Sequence, residues 1–174
     1  MRTFISINIP EKIRKQILQI QNSLPEFVGK KTEPENLHLT LKFLGEDDEN
    51  KVEEIRKKLG EIKFNKFETE IDSLGVFDEN FIKIIWLHLK NCEQLQKQVD
   101  AKLSKIGFKK EKRFMDHLTI ARVKKIENRK EFLEDLKKIK IPTIKFIVNK
   151  FYLKESLLSS EGLEYKVLNK YTLL

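Results

Sequence analysis

The sequence predicts a two-lobed α+β protein, and three observations predict it. Each half of the chain reads strand, helix, strand, helix, strand. The tetrapeptides "HLTL" (38–41) and "HLTI" (117–120) open the middle strand of each half. The pairs Glu49-Asn50 and Glu127-Asn128 then precede the second helix of each half at closely similar offsets. Two such units, related by a pseudo-two-fold axis, would share a central cleft. No linker rich in Gly, Ser or Pro divides them, so 1–174 is expected to form a single bilobal domain from halves at roughly 1–77 and 78–174.

The elements follow from periodicity. "TFISINI" (3–9) alternates like a strand. Pro10 suits a helix start, and Ile13, Ile17, Ile20 and Leu24 then mark one helix face. "VGKKTEPE" reads as a basic loop and "NLHLTLKFLG" as the second strand. The acids of "EDDEN" suit the positive end of a helix whose stripe is Val52, Ile55, Leu59 and Ile62. "KFETEIDSLGVF" is the third strand. In the second half, "NFIKIIWLHLK" (80–90) and "DHLTIARVK" are strands. Between them Leu95, Val99, Leu103 and Ile106 mark a helix that stops at Gly107. Phe132, Leu136 and Ile139 mark another helix. "TIKFIVNKFYLKES" (143–156) reads as one long strand, "LLSSEG" as a turn, and "LEYKVLNKYTLL" as a closing strand.

Composition narrows the class. The chain is 40% hydrophobic and 36% charged, too apolar for disorder and rich in charge for a globular domain. Such Lys/Glu enrichment is also a trend of hyperthermophiles. A net charge of +8 fits a phosphate-rich partner such as RNA, and it fits plain solubility. The single cysteine, Cys92, allows no intramolecular disulfide and no thiol metal cluster; it reads as a helix-start filler. No apolar run is long enough to span a bilayer, and "MRTFISINIP" lacks the pattern of a signal peptide, so no membrane partner and a cytoplasmic location are expected.

The chemistry sits in the repeated motif. Residues i and i+2 of a strand share a face. His38 and Thr40 therefore point one way and Leu39 and Leu41 the other, and His117 and Thr119 are opposed in the same way to Leu118 and Ile120. Facing each other, the two strands would present two imidazoles and two hydroxyls. Histidine titrates near neutrality, so one ring can take a proton while the other gives one. The threonines can donate to non-bridging phosphate oxygens. Lys42 shares parity with His38 and is a candidate phosphate ligand. Arg122 has the wrong parity for a flat strand and reaches the site only from a strand end, a bulge or around an edge.

Other candidates are weaker. His88 has no threonine two residues on and reads as structural or surface. Trp86 reads as core or cleft wall, with base stacking as the alternative. The run "KIGFKKEKRF" (105–114) suits a phosphate backbone or a solvated loop equally. Two histidines fall short of the three or four ligands that zinc needs, and Asp116, Asp47 and Asp48 point elsewhere or cap a helix, so no metal is expected. No glycine-rich phosphate loop is present, and no cofactor is expected. Ser156 has no base near it in sequence.

Two His-x-Thr-x motifs at this separation, with "MRTFISINIP", "HLTLKFLGE", "IIWLHL", "HLTIARV" and "FYLKESLLSSEGLEYKVL" around them, resemble the 2H phosphoesterases across the whole chain. The nearest likeness is to the RNA 2′,3′-cyclic phosphodiesterases, historically called 2′-5′ RNA ligases. The resemblance implies antiparallel sheets lining the cleft. It implies metal-independent opening of a terminal 2′,3′-cyclic phosphate to a 2′-phosphate, with ATP-independent 2′-5′ joining as the reverse-type reaction. It implies His38 as proton donor, His117 as proton acceptor, and Thr40, Thr119 and Arg122 on the phosphate. From the residues alone, either histidine can take either role. The implied partner is RNA with a cyclic phosphate end, tRNA fragments included, met by a monomer. Two rivals stand: an RNA-binding module without turnover, and a 2H phosphoesterase for a small cyclic nucleotide.

Overall fold

A computed structural model describes all residues, 1–174. Its strands are β1 (Arg2–Asn8), β2 (Val28–Lys31), β3 (His38–Glu46), β4 (Phe67–Val76), β5 (Ile84–Leu89), β6 (His117–Lys125), β7 (Ile144–Val148), β8 (Lys150–Ser159) and β9 (Gly162–Thr172). Its helices are α1 (Glu11–Asn22), α2 (Glu49–Gly60), α3 (Glu93–Ser104) and α4 (Arg129–Lys137). The fold is the expected α+β architecture, with every strand pairing antiparallel.

The strands form one curled sheet in the order β7-β4-β5-β6-β3-β1-β8-β9, with β2 paired to β6. Two well-paired groups meet at β3 and β6, where the register is the single pair Leu39↔Leu118. The two histidine strands are therefore neighbours in one sheet, rather than walls facing each other across a gap. Antiparallel geometry places His38 beside Thr119 and His117 beside Thr40 around that leucine pair.

The lobes do not coincide with the halves of the chain. β4, from the first half, pairs with β5 and β7. β8 and β9, from the second half, extend the sheet beyond β1. The expected long strand at 143–156 is accordingly two strands broken at Asn149, because β7 serves one group and β8 the other. The helices cross over as well: α1 packs against β6 and β7, and α3 against β3. "VGKK" is not loop but β2, followed by a 3-10 turn at Pro34–Asn36. The hairpin turn between β8 and β9 is confined to Ser160 and Glu161.

Leu39, Leu118 and Ile120 are fully buried on the helix-covered face, with Leu41 beside them, as alternation requires. Asp48 caps α2 through the Lys51 amide and Asn128 caps α4 through the Glu131 amide, so the repeated acid-Asn segments do start helices. On the open face, Gly75 of β4 lies under the indole of Trp86; a Cβ there would stand 2.6 Å from the ring. Gly75→Ala is expected to cost about 1–3 kcal/mol by overpacking. The emission of Trp86, the only tryptophan, should shift as its ring is displaced, and an unchanged spectrum with an unchanged urea midpoint would count against this packing.

Candidate active site

β3 and β6 carry the same departure from regularity. Between Thr40 and Lys42 the register against β1 skips Leu41, and between Thr119 and Ala121 the register against β5 skips Ile120. Each skip is a β-bulge, and one extra residue reverses the parity of everything after it. Leu41 and Lys42 are thus both buried, as are Ile120 and Ala121, while Phe43 and Arg122 turn out to the open face. The bulge corrects one expectation and fulfils another. Lys42 does not reach the cleft: its Nζ lies 2.7 Å from Asp100 Oδ1 and 2.6 Å from the Lys109 carbonyl, on the helix side. Arg122 does reach it, by the bulge that flat-strand parity left as one route.

The cleft holds a cavity of about 590 Å³, and His38, Thr40, His117, Thr119 and Arg122 all line it. The two imidazoles are held alike. His38 Nδ1 donates to the carbonyl of Asn36 at 2.7 Å, and His117 Nδ1 donates to the carbonyl of Met115 at 3.0 Å. A carbonyl only accepts, so each Nδ1 carries a proton and each neutral ring keeps its lone pair on Nε2. His38 Nε2 lies 3.1 Å from Thr40 Oγ1. Aromatic edges fix the rings: Tyr165 stands 5.0 Å from His38 and Phe77 stands 5.0 Å from His117, both near perpendicular. Phe4 packs on His38 at 5.1 Å and on Tyr165 at 5.1 Å, so the three rings form one cluster.

The second motif is clamped from outside the sheet. Thr32 Oγ1 donates to the Thr119 carbonyl at 3.0 Å, and the buried Gln21 donates to the carbonyls of Thr32 and Ile120, each at 2.9 Å. β2 lies so close to β6 that a Cβ on Gly29 would stand 2.2 Å from the Arg122 carbonyl, a contact only glycine permits. Arg122 is thereby held between β2 and β5.

The cavity is electropositive. Arg2, Lys30, Lys31 and Arg122 line it against one carboxylate, Glu33, which pairs with Lys30 at 2.6 Å. Arg2, Lys31 and Arg122 pair with no acid. Burial, against the opposing Asn36 bond, takes His38 down to a pKa of about 4 from the ordinary 6.5, with Lys154, Arg122 and His117 adding repulsion. Burial raises the Tyr165 phenol, which keeps its proton at neutral pH. The His38 shift has a consequence for stability. As pH falls, the unfolded chain binds this proton first, so the contribution is complete above pH 6.5 and is lost between 6.5 and about 4. Its full size is at most about 3 kcal/mol, less where solvent reaches the ring edge. Urea unfolding at pH 7 and pH 4 should show a smaller loss for His38→Ala than for the natural sequence; equal losses would contradict the burial.

Several cavity residues gave no signal in the sequence. Arg2 was lost among 35 basic residues, Lys30 and Lys31 stood out only as part of a basic loop, and Ser156 and Tyr165 arrive through the β8–β9 hairpin. His88 lies opposite His117 on the same face, but its Nδ1 is taken by Asp72 Oδ1 at 2.6 Å and it does not line the cavity. Trp86 is half-buried behind Phe77. None of the 105–114 run lines the cavity; its backbone at Lys109 and Glu111 is tied to Lys42 and Asp100.

Two bulged histidine strands, paired at one leucine and opening on a cationic cavity, define a two-histidine phosphoesterase. The LigT-like phosphoesterase model matches residues 7–86 and 88–165, one histidine strand in each stretch, and the chain belongs to that family. It is 36% identical to the RNA 2′,3′-cyclic phosphodiesterase of Methanocaldococcus jannaschii, over 98% of this chain and 100% of that one. It is 36% identical to the protein of the same name from Thermotoga maritima, over 97% and 93% of the two chains. Among solved structures, TT0787 of Thermus thermophilus superposes with a TM-score of 0.81, covering 99% of this chain and 97% of that one at 24% identity. Escherichia coli LigT complexed with 3′-AMP superposes with a TM-score of 0.80 at 24% identity, covering 99% and 97%. These two structures match the fold.

Proposed function

We propose that the chain hydrolyses RNA 2′,3′-cyclic phosphate ends to 2′-phosphates by histidine acid–base catalysis, without a metal. The observation that carries this reading is the paired tethering of the rings. Each Nδ1 is spent on a backbone carbonyl two residues earlier, and both rings line one cavity, where the single side-chain partner of either Nε2 is the Thr40 hydroxyl beside His38. The names of the full-length relatives supply the substrate class.

In the cavity the cyclic diester sits between the imidazoles, its non-bridging oxygens on Thr40, Thr119 and Arg122. His117 Nε2 removes a proton from water, whose oxygen attacks phosphorus. His38 Nε2 gives its proton to the departing 3′ oxygen, leaving the phosphate on the 2′ position. These two roles follow the family resemblance. Burial leaves His38 neutral in the free protein, and the arriving phosphate anion supplies the charge that lets the ring hold a proton. With a 5′ hydroxyl in place of water attacking the same cyclic phosphate, and the 3′ oxygen again leaving, the same groups join ends through a 2′-5′ linkage without ATP. No group of three or more His, Cys, Asp or Glu side chains is arranged as a metal site, and the only cavity carboxylate is engaged by Lys30. The protein acts as a monomer in this reading.

RNA ending in a 2′,3′-cyclic phosphate, incubated with the protein in excess EDTA, should end as a 2′-phosphate. Three unpaired cations exceed the single charge of one diester, so a short oligonucleotide should exceed a mononucleoside cyclic phosphate in kcat/KM, and the gap should narrow with salt. A higher kcat/KM on the mononucleotide would favour a small cyclic nucleotide as substrate. Binding without turnover would leave an RNA-binding module.

A further inference from the structure

Two lysines of the chain are buried, and only one has a counter-charge. Lys42 has Asp100. Lys154 of β8 is 6% exposed, pairs with no carboxylate, and spends its ammonium on one acceptor, Asn8 Oδ1, beside the ring of Tyr152. An ammonium has three donors and is costly to bury unpaired. Its placement indicates what it acts on. Lys154 lies opposite Phe4 in the β1–β8 pairing, and Phe4 packs on His38. Asn8, which holds it, is the residue opposite His38 in the β1–β3 pairing. The ammonium is therefore fixed on the cleft face, within two strands of the first imidazole.

The other groups around His38 are accounted for. His117 and Arg122 face it from β6, Tyr165 from β9, and Glu33 lines the same cavity ahead of β3. Arg14 of α1 bears on Lys154. Glu33 is the one negative group and is neutralised by Lys30. Solvent and salt screen the exposed cations, while the buried one acts at nearly full strength.

We propose that Lys154 is a positioning residue for the reaction: its buried, unpaired ammonium, held by Asn8, adds to the burial of His38 in making that ring a stronger acid. A fixed positive neighbour weakens the hold of the ring on its proton, which suits a group that must release that proton to a leaving oxygen. Burial brings Lys154 itself down to a pKa of about 8, so it stays charged at neutral pH. The inference rests on the two-histidine reading of the site.

The test is an NMR titration of the histidine Cε1 protons in the full-length protein, with His38→Ala to assign the resonance. In Lys154→Met the His38 midpoint should rise by about one pH unit, a tenfold gain in proton affinity. His88, two strands away from His38, should not move. Lys154→Arg should titrate like the natural sequence. The limb of the kcat/KM profile that His38 controls should rise with the midpoint, and Lys154→Met should melt at a higher temperature. A folded Lys154→Met protein with an unmoved His38 midpoint would overturn the proposal; Lys154→Gln serves if the methionine variant does not fold. Failure of the proposed activity is distinct: the natural sequence would leave cyclic ends intact, whatever the midpoints show.

Discussion

His117→Ala is expected to lower kcat/KM on RNA with a cyclic phosphate end by about 10²–10⁴-fold, and His38→Ala by a similar factor. The reason is geometric. Each ring is oriented through Nδ1 by its own strand, so losing one leaves the other in place but without its counterpart. In the proposed reaction, removal of water's proton and protonation of the leaving oxygen belong to one event, so the double variant should fall well short of the product of the two losses. His88→Ala is the control. It removes an imidazole from the same face, yet that ring is engaged by Asp72 outside the cavity, so its rate should stay within a few-fold of normal. Undiminished turnover in both His38→Ala and His117→Ala would end the acid–base reading.

The largest effect on stability is expected at Asp100. Its carboxylate takes Lys42 on one oxygen and the Glu111 amide and Gln96 on the other. Burial pushes this carboxyl up, but those three bonds outweigh it and hold it below its ordinary value. Its contribution is thus present above the unfolded carboxyl range and is lost as pH falls through the lower folded value. Asp100→Ala leaves Lys42 charged inside the protein and should cost about 3–5 kcal/mol, out of a total that is typically about 5–15. Lys42→Met combined with Asp100→Leu removes both charges and should recover most of it. Urea unfolding of the single and double variants measures the difference. A double variant no more stable than Asp100→Ala would mean that the pair is not what the site depends on.

Lys42 and Arg122 show where the sequence was legible and where it was not. Alternation placed His38, Thr40, His117 and Thr119 correctly, because period two holds up to the bulge. Past it the parity inverts, and nothing in "LTLKF" announces the extra residue. The clearest hint was "IAR" itself: Ala121, small and apolar, fits a second consecutive buried position. At the matching place Lys42 is buried against Asp100 of α3, the Lys109 carbonyl and, at 3.8 Å, Glu111, and such long-range partners have no local signature. Helices were legible from their stripes and caps. The break at Asn149 was not, since β7 and β8 are each good strand sequence and differ only in the partners they find. Tyr165 reaches the cavity, and Lys154 the flank of β1, for the same reason, carried there by strands that the repeat had assigned to the other lobe.

The exchange of strands between the halves also governs how the protein comes into being. β1 and β3 can pair early, but the outer edge of β1 waits for β8, and Tyr165 waits for the last hairpin. β4 leaves its own half to wait for β5 and β7. Neither half can finish alone while the chain emerges from the ribosome, so the repeat does not supply two independently folding pieces. Contacts this distant in sequence make folding slow, and they leave strand edges open until the final residues arrive. Completion of the site is in that sense a late checkpoint of synthesis: a chain stopped before β9 contains His38 and His117 and has no Tyr165 to brace the first of them.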